Sequence, residues 1–279
     1  MPTTLSQRRP IARGRVSIFG MFIRAGLVLI TMLPASALAG SAMPTGLVYL
    51  HDIDPTIVQD IRYAGSHNFV GRPIRGYLAA ECILSEPAAR ALEAVQRMLA
   101  EKKLSLIVWD CYRPKRAVAD FLQWSKDPTH SEMKAEFYPR TDKEKLFALG
   151  YLAKRSAHSR GSTVDLGIVP AAFSAAPPPD PSQPPKACTS PKGERFEDGT
   201  IDFGTGYDCL DVLAHTSNAL AGGIVLRNRR TLSSYMERAG FRPYAKEWWH
   251  FELINEPFHR DGFDFEVSAS PSANEGPAR

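Results

Sequence analysis

Ala88, Leu92, Val95 and Leu99 recur at i, i+4, i+7 and i+11 in SEPAARALEAVQRMLAEKKL, one apolar stripe along a helix. Ser85 stands where an N-cap is expected, and Pro87 falls in the first turn. SLIVWD (105–110) is a continuous apolar run and predicts a buried strand. PKRAVADFLQWS, opened by Pro114, predicts a second helix. TDKEKLFALG predicts a third, with Thr141 and Glu144 in capping-box spacing and Gly150 as the stop. NRRTLSSYMERAGF predicts a short helix ending at Gly240, and KEWWHFELI a last strand. Residues 44–84 read as short strands and turns. Helices interspersed with strands, without a βαβ rhythm, predict an α+β fold: a mostly antiparallel sheet with flanking helices in a single domain.

Two stretches break this pattern. PAAFSAAPPPDPSQPPKACTSPKG is too rich in proline for a helix or a central strand, so 170–200 is expected to be a surface insertion within the domain. VSASPSANEGPAR closes the chain, and 266–279 is expected to be a disordered tail.

The first 39 residues stand apart in a different way. Arg8, Arg9, Arg13, Arg15 and Arg24 precede AGLVLITML (25–33), an apolar run short for a bilayer, and the small Ala37 and Ala39 follow. This is the layout of a signal peptide cleaved after Ala39, with a retained anchor as the alternative. Arg8-Arg9 hints at twin-arginine export, although its flanking residues fit that route poorly. The leader alters the charge balance. The chain has 34 Lys+Arg against 30 Asp+Glu, and five of those Arg lie in the leader, which leaves 29 against 30. The mature chain therefore gives no reason to expect a nucleic-acid partner, and no other segment is apolar enough to span a membrane. Four cysteines, all beyond the leader, suit a periplasmic or secreted protein. Cys188 and Cys209 bracket a loop-like stretch that a disulfide would close, which leaves Cys82 with Cys111; buried thiols are the alternative. No C-x-x-C occurs, so a thiolate zinc knuckle has no basis here.

Candidate chemistry gathers in three short segments. In SAHSRGSTVDLGIV, a turn through Gly161 would bring His158 beside Asp165 at a strand entry. EWWH supplies Glu247 and His250, where the plain alternative is a core strand with two satisfied polar groups. A catalytic zinc ion commonly takes three protein ligands and leaves one position open, with a nearby carboxylate to handle the proton. His158, Asp165 and His250 as ligands, with Glu247 as base, would meet that need. In WDCYRP, Arg113 ends the buried strand where its guanidinium can reach a cleft and hold an oxyanion, or else pair with Asp110.

All three segments match one family. SAHSRGSTVD fits S-x-H-x-x-G-x-[AT]-x-D, EWWH fits E-x-W-H, and WDCYRP fits the family's arginine strand. The chain resembles the zinc D-alanyl-D-alanine dipeptidases of peptidase family M15, the group that includes the enzyme of vancomycin resistance. DIRYAGSHNFVGRPIRGYLAAECIL, FGTGYD and NRRTLSSYMERAGF extend the likeness over roughly 45–265, within an expected catalytic domain of 40–265. The resemblance implies one zinc per chain on His158, Asp165 and His250. It makes Glu247 the general base, which later protonates the leaving amine, and Arg113 the group that polarises the scissile carbonyl. Asp208 would hold the free ammonium of a small dipeptide, and Ser156 would stand at the substrate pocket.

The leader gives this implied activity a place. An exported enzyme meets dipeptide released from the cell wall, so scavenging or wall turnover is expected rather than classical resistance. The rival readings are a peptidoglycan D,D-carboxypeptidase or L-alanyl-D-glutamate endopeptidase, which act on longer stems, and a secreted module with a structural zinc. A structural module would not need Glu247.

Overall fold

The computed structural model describes residues 42–175, 177–180, 182–260 and 262–271. The expected signal peptide and the end of the expected tail lie outside them. The elements run β1 (Leu47–Tyr49), α1 (Leu50–Ile53), β2 (Val58–Gln59), β3 (Ile83–Ser85), α2 (Glu86–Ala100), β4 (Leu104–Asp110), α3 (Lys115–Lys126), α4 (Lys134–Phe137), β5 (Thr163–Pro170), α5 (Gly223–Arg238), β6 (Phe241–Tyr244) and β7 (Glu247–Leu253). Five strands form one sheet in the order β2-β4-β5-β7-β6, and β1 pairs with β3 in a small antiparallel ribbon.

The class is α+β, but the main sheet is mixed. β4, β5, β7 and β6 pair antiparallel, whereas β2 runs parallel to β4. The chain leaves β2, passes through α2 and returns as β4, and a crossover of that kind delivers parallel strands. The expectation of no βαβ unit missed it because β2 is only two residues long.

The apolar stripe of α2 accounts for its packing. Ala88, Leu92, Val95 and Leu99 are all fully buried, and the helix lies against β4. Ser85 occupies the N-cap position as expected, but its hydroxyl makes no capping bond and is hydrogen-bonded instead to that of Ser162 at 2.7 Å. Leu92→Ala should destabilise the fold by about 3 kcal/mol through lost burial and the cavity left behind, read by chemical denaturation.

Trp248 and Trp249 are consecutive in β7, each is 1 % exposed, and their rings meet edge-on at 5.3 Å. They lie where the pairing of β7 with β6 is bulged, so side chains there do not alternate strictly between faces. Trp248 stacks on Phe203 at 4.1 Å and meets Trp109 edge-on at 6.0 Å, and Trp109 stacks on Tyr207 at 4.6 Å. Gly167 in β5 makes room for this cluster: a Cβ there would stand 2.7 Å from the Trp109 ring.

Two expected features differ from what forms. TDKEKLFALG folds into a 3-10 turn at Lys143–Lys145 followed by further turns rather than a helix. The Thr141 hydroxyl, required for the capping box, instead donates to the Leu210 carbonyl at 3.0 Å. The chain also stays packed past residue 265. Val267 is fully buried, its amide donates to Gly76 O, and its carbonyl accepts from Leu78 and Ala79. The described part of 266–279 therefore belongs to the body as far as Ser270, which is 1 % exposed.

Two disulfides join Cys82 to Cys111 and Cys188 to Cys209, the pairs expected. Past Pro170, which ends β5, the proline-rich stretch has no helix or strand among its described residues, and up to Lys186 these are exposed except the half-buried Phe173. From Cys188 it packs inward, with Arg195, Asp198 and Thr200 buried. Among the described residues, no helix is long and apolar enough to cross a membrane.

Candidate active site

The site is built on a row of residues across three strands. Asp110 of β4 pairs in register with Asp165 of β5, which pairs with His250 of β7. Residues opposite one another in adjacent strands project to the same face, so this register aligns the three side chains. β4 is shifted by one residue between Val108 and Asp110, a bulge of the kind that re-aims a side chain beside a site. His158 joins the row from a 3-10 turn, Ala157–Arg160, immediately before β5. Gly161 ends that turn with φ +76°, and a Cβ there would lie 2.7 Å from Leu47 Cδ2. A side chain at this position would be strained and would also strike the core.

One donor atom each from His158, Asp165 and His250 lies within 4.8 Å of the others. Asp165 Oδ1 is 3.3 Å from His158 Nε2 and 3.0 Å from His250 Nδ1. The outer ring nitrogens are also engaged. His158 Nδ1 is 2.8 Å from the Cys111 carbonyl and 3.2 Å from Asp110 Oδ2, so the proton belongs on Nδ1 and the Nε2 lone pair faces Asp165. His250 Nε2 is 3.8 Å from Glu252 Oε1. Tyr207 donates to the second oxygen of Asp165 at 3.2 Å. Two imidazoles and a carboxylate, each oriented from behind by a further polar group, suit a divalent transition metal.

The electrostatics call for a cation at the same point. Burial works against the Asp165 carboxylate, but His158 and His250 hold its pKa well below the usual range. Burial likewise works against protonated His250, and hydrogen bonds to Asp165 and Glu252 outweigh it and push the imidazole up to about 10. A metal between these groups would replace the proton that the carboxylates otherwise hold on His250.

Glu247 and Asp208 face the same cavity of about 300 Å³. Glu247 Oε2 is 3.6 Å from His250 Nδ1, and burial, with Asp165 and Asp208 nearby, pushes its carboxyl up to about 8. Asp208 accepts from the Tyr63 hydroxyl at 2.7 Å, and burial together with Asp165 pushes it up to about 7. Its backbone has φ +56°, in the left-handed region that few non-glycine residues adopt. Ser156 lines the cavity at the start of the His158 turn.

Arg113 both pairs with Asp110 and reaches the cavity. It pairs with Asp110 Oδ2 at 2.7 Å and stands 3.6 Å from Asp165 Oδ2, while its guanidinium also lines the cavity. The rings of Tyr63 and Phe121 lie against it at 5.1 and 5.3 Å. All seven residues singled out in the sequence therefore line one cavity.

Sequence reasoning missed the supporting groups. Tyr63 and Tyr207 lie inside quoted segments, but their partners Asp208 and Asp165 are remote in sequence, as is the contact of Asp110 with His158. Glu252 was legible in principle: two residues after His250 in a strand, it faces the same side. No described residue of 170–200 lines the cavity.

The M15 peptidase family model, described as D-ala-D-ala dipeptidase, matches residues 43–171 and 194–268. The interval it leaves out falls within the proline-rich stretch. The chain is 33 % identical over 227 residues to a D-alanyl-D-alanine dipeptidase of Enterococcus faecalis, covering 81 % of this chain and all of the relative. A Streptomyces coelicolor enzyme of the same name is also 33 % identical over 227 residues, with the same coverage. The Escherichia coli D-alanyl-D-alanine dipeptidase is 28 % identical over 210 residues, covering 75 % of this chain and 85 % of the relative. A family match across both halves of the cavity, with relatives aligned along their full length, identifies this chain as a member of the D-alanyl-D-alanine dipeptidase family of M15 peptidases.

Proposed function

We propose that the chain is an exported zinc dipeptidase that hydrolyses D-alanyl-D-alanine to two molecules of D-alanine. The observation that carries this reading is the convergence of His158, Asp165 and His250 with Glu247, Arg113 and Asp208 in one cavity of about 300 Å³. That volume suits a small molecule rather than a peptide chain. The three ligand residues would hold the zinc, which would supply Lewis acidity and make a water molecule acidic at neutral pH.

The chain's own groups perform the remaining steps. Asp208 receives the substrate ammonium in a buried setting, where an unpaired charge would be costly. Arg113, fixed by Asp110 and two aromatic rings, polarises the scissile carbonyl and stabilises the negative charge that develops on its oxygen. Glu247 takes a proton from the attacking water and returns it to the leaving amine as the C–N bond breaks. Ser156 stands on the substrate-facing wall. A longer stem has no free ammonium at the position facing Asp208, which favours the dipeptidase over the stem-cleaving alternatives.

Asp208→Asn should raise KM for D-alanyl-D-alanine by about tenfold or more while changing kcat less, because a charge-assisted contact to the ammonium is lost. Steady-state kinetics reads the split. Equal KM values in variant and parent would remove Asp208 from substrate binding.

Export is supported by the leader and by two disulfides, which persist in oxidising compartments. Cell fractionation should recover the processed protein outside the cytoplasm, in a position to act on dipeptide from wall turnover. Recovery in the cytoplasm would overturn this part of the reading.

A further inference from the structure

The catalytic cavity is rich in acid, with Asp165, Asp208, Glu247 and Glu252 in its walls. A second cavity of about 550 Å³ adjoins it, and Arg155, Ser156 and Arg160 line both. The second cavity has the opposite character. Lys115, Lys154, Ser159, His259 and Arg260 complete its polar lining, and no carboxylate lines it among the described residues. Arg160 is held by Glu256 at 2.7 Å, which fixes its position on the shared wall. This cluster of cations does not reflect a basic protein, because beyond the leader the chain has 29 Lys+Arg against 30 Asp+Glu.

The two cavities give a bound dipeptide a direction. With its ammonium on Asp208 and its carbonyl at Arg113, the substrate extends its C-terminal half away from Asp208. Arg155 and Arg160 are the remaining arginines of the catalytic cavity, and both lie on the wall shared with the basic one. A C-terminal carboxylate is drawn to that wall by charge, and the side chain of the same residue then faces the basic cavity.

We propose that the basic cavity is a subsite for an acidic C-terminal residue, so that the substrate class includes D-alanyl dipeptides ending in a dicarboxylic D-amino acid. The assignment takes its substrate orientation from the dipeptidase reading and adds a preference to it. Lys154 and Arg260, which line the basic cavity and not the catalytic one, supply the positive field around the second carboxylate. A neutral amide of the same shape forgoes that attraction.

The test uses D-Ala-D-Glu and its neutral isostere D-Ala-D-Gln, with binding measured by calorimetry on zinc-loaded Glu247→Gln protein. D-Ala-D-Glu should bind about tenfold more tightly than D-Ala-D-Gln at low salt, and the ratio should shrink as salt rises. Adding Lys154→Ala and Arg260→Ala should bring the ratio close to one. Equal affinity for the two dipeptides, or a ratio that survives both substitutions, would overturn the subsite. Turnover of D-Ala-D-Ala by the unmodified protein separates the two readings. Turnover without a preference for Glu defeats the subsite alone, whereas a preference for Glu without turnover defeats the dipeptidase reading and leaves the subsite standing.

Discussion

Glu247→Ala should lower kcat for D-alanyl-D-alanine by about 10³-fold or more while the protein retains its zinc, since general acid–base catalysis contributes on that scale. The separation follows from the geometry. Glu247 lies beside the ligand cluster, 3.6 Å from His250 Nδ1, while Asp165 with the two histidines forms the compact donor set. Removing Glu247 takes away the proton carrier and leaves that donor set in place. Metal analysis alongside single-turnover kinetics makes the distinction. A variant that hydrolyses the dipeptide at the parental rate would show that another group moves the proton. A variant that loses zinc in proportion to activity would make Glu247 a ligand rather than a base.

Removal of the metal is expected to have the second large effect. Dialysis against a chelator should abolish turnover, and added zinc should restore it. His250→Ala should prevent restoration at stoichiometric zinc, because the groups behind the ligands, Asp110, Tyr207 and Glu252, cannot replace a missing ligand. The apo protein should nevertheless remain folded. The site sits at the edge of a core that contains Trp109, Trp248 and Trp249, and two disulfides cross-link the same body. Near-ultraviolet circular dichroism of the chelated protein reads that packing. Collapse of the signal on chelation would mean that the metal holds the fold rather than serving chemistry alone.

The parts of this fold visible in the sequence were those governed by local periodicity. The α2 stripe and the apolar run of β4 needed only a period and a boundary, and both elements form. The segment at 141–150 had good local signals and still did not become a helix; its Thr141 hydroxyl is tied to Leu210, distant in sequence. The parallel pairing of β2 with β4 was hidden for a related reason: two residues carry no periodic signal.

The candidate site divides in the same way. His158 and Asp165 share one turn-and-strand segment, so their meeting through Gly161 was legible. Their meeting with His250 depends on β5 pairing with β7, which no spacing encodes; the needs of a zinc site suggested it, and the resemblance to a family tipped the balance. Arg113 could be read either as an oxyanion group or as the partner of Asp110. The structure places it against Asp110 and in the cavity together, a combination that sequence alone presents as a choice. The contacts from Tyr63 to Asp208 and from Tyr207 to Asp165 had no sequence signal beyond their presence in family-like segments.

EWWH combines both aspects. Trp248 and Trp249 are core residues in one aromatic cluster with Trp109 and Tyr207, as an aromatic strand suggests. Glu247 and His250 line the cavity instead, and Glu252 stands behind His250.

The most direct test of the central claim is D-alanine release by the purified, zinc-loaded protein from two substrates, free D-alanyl-D-alanine and a pentapeptide stem ending in the same two residues. The expected result is two D-alanines per free dipeptide and no release from the stem. Release from the stem with the free dipeptide left intact would contradict the account and assign the cavity to a carboxypeptidase.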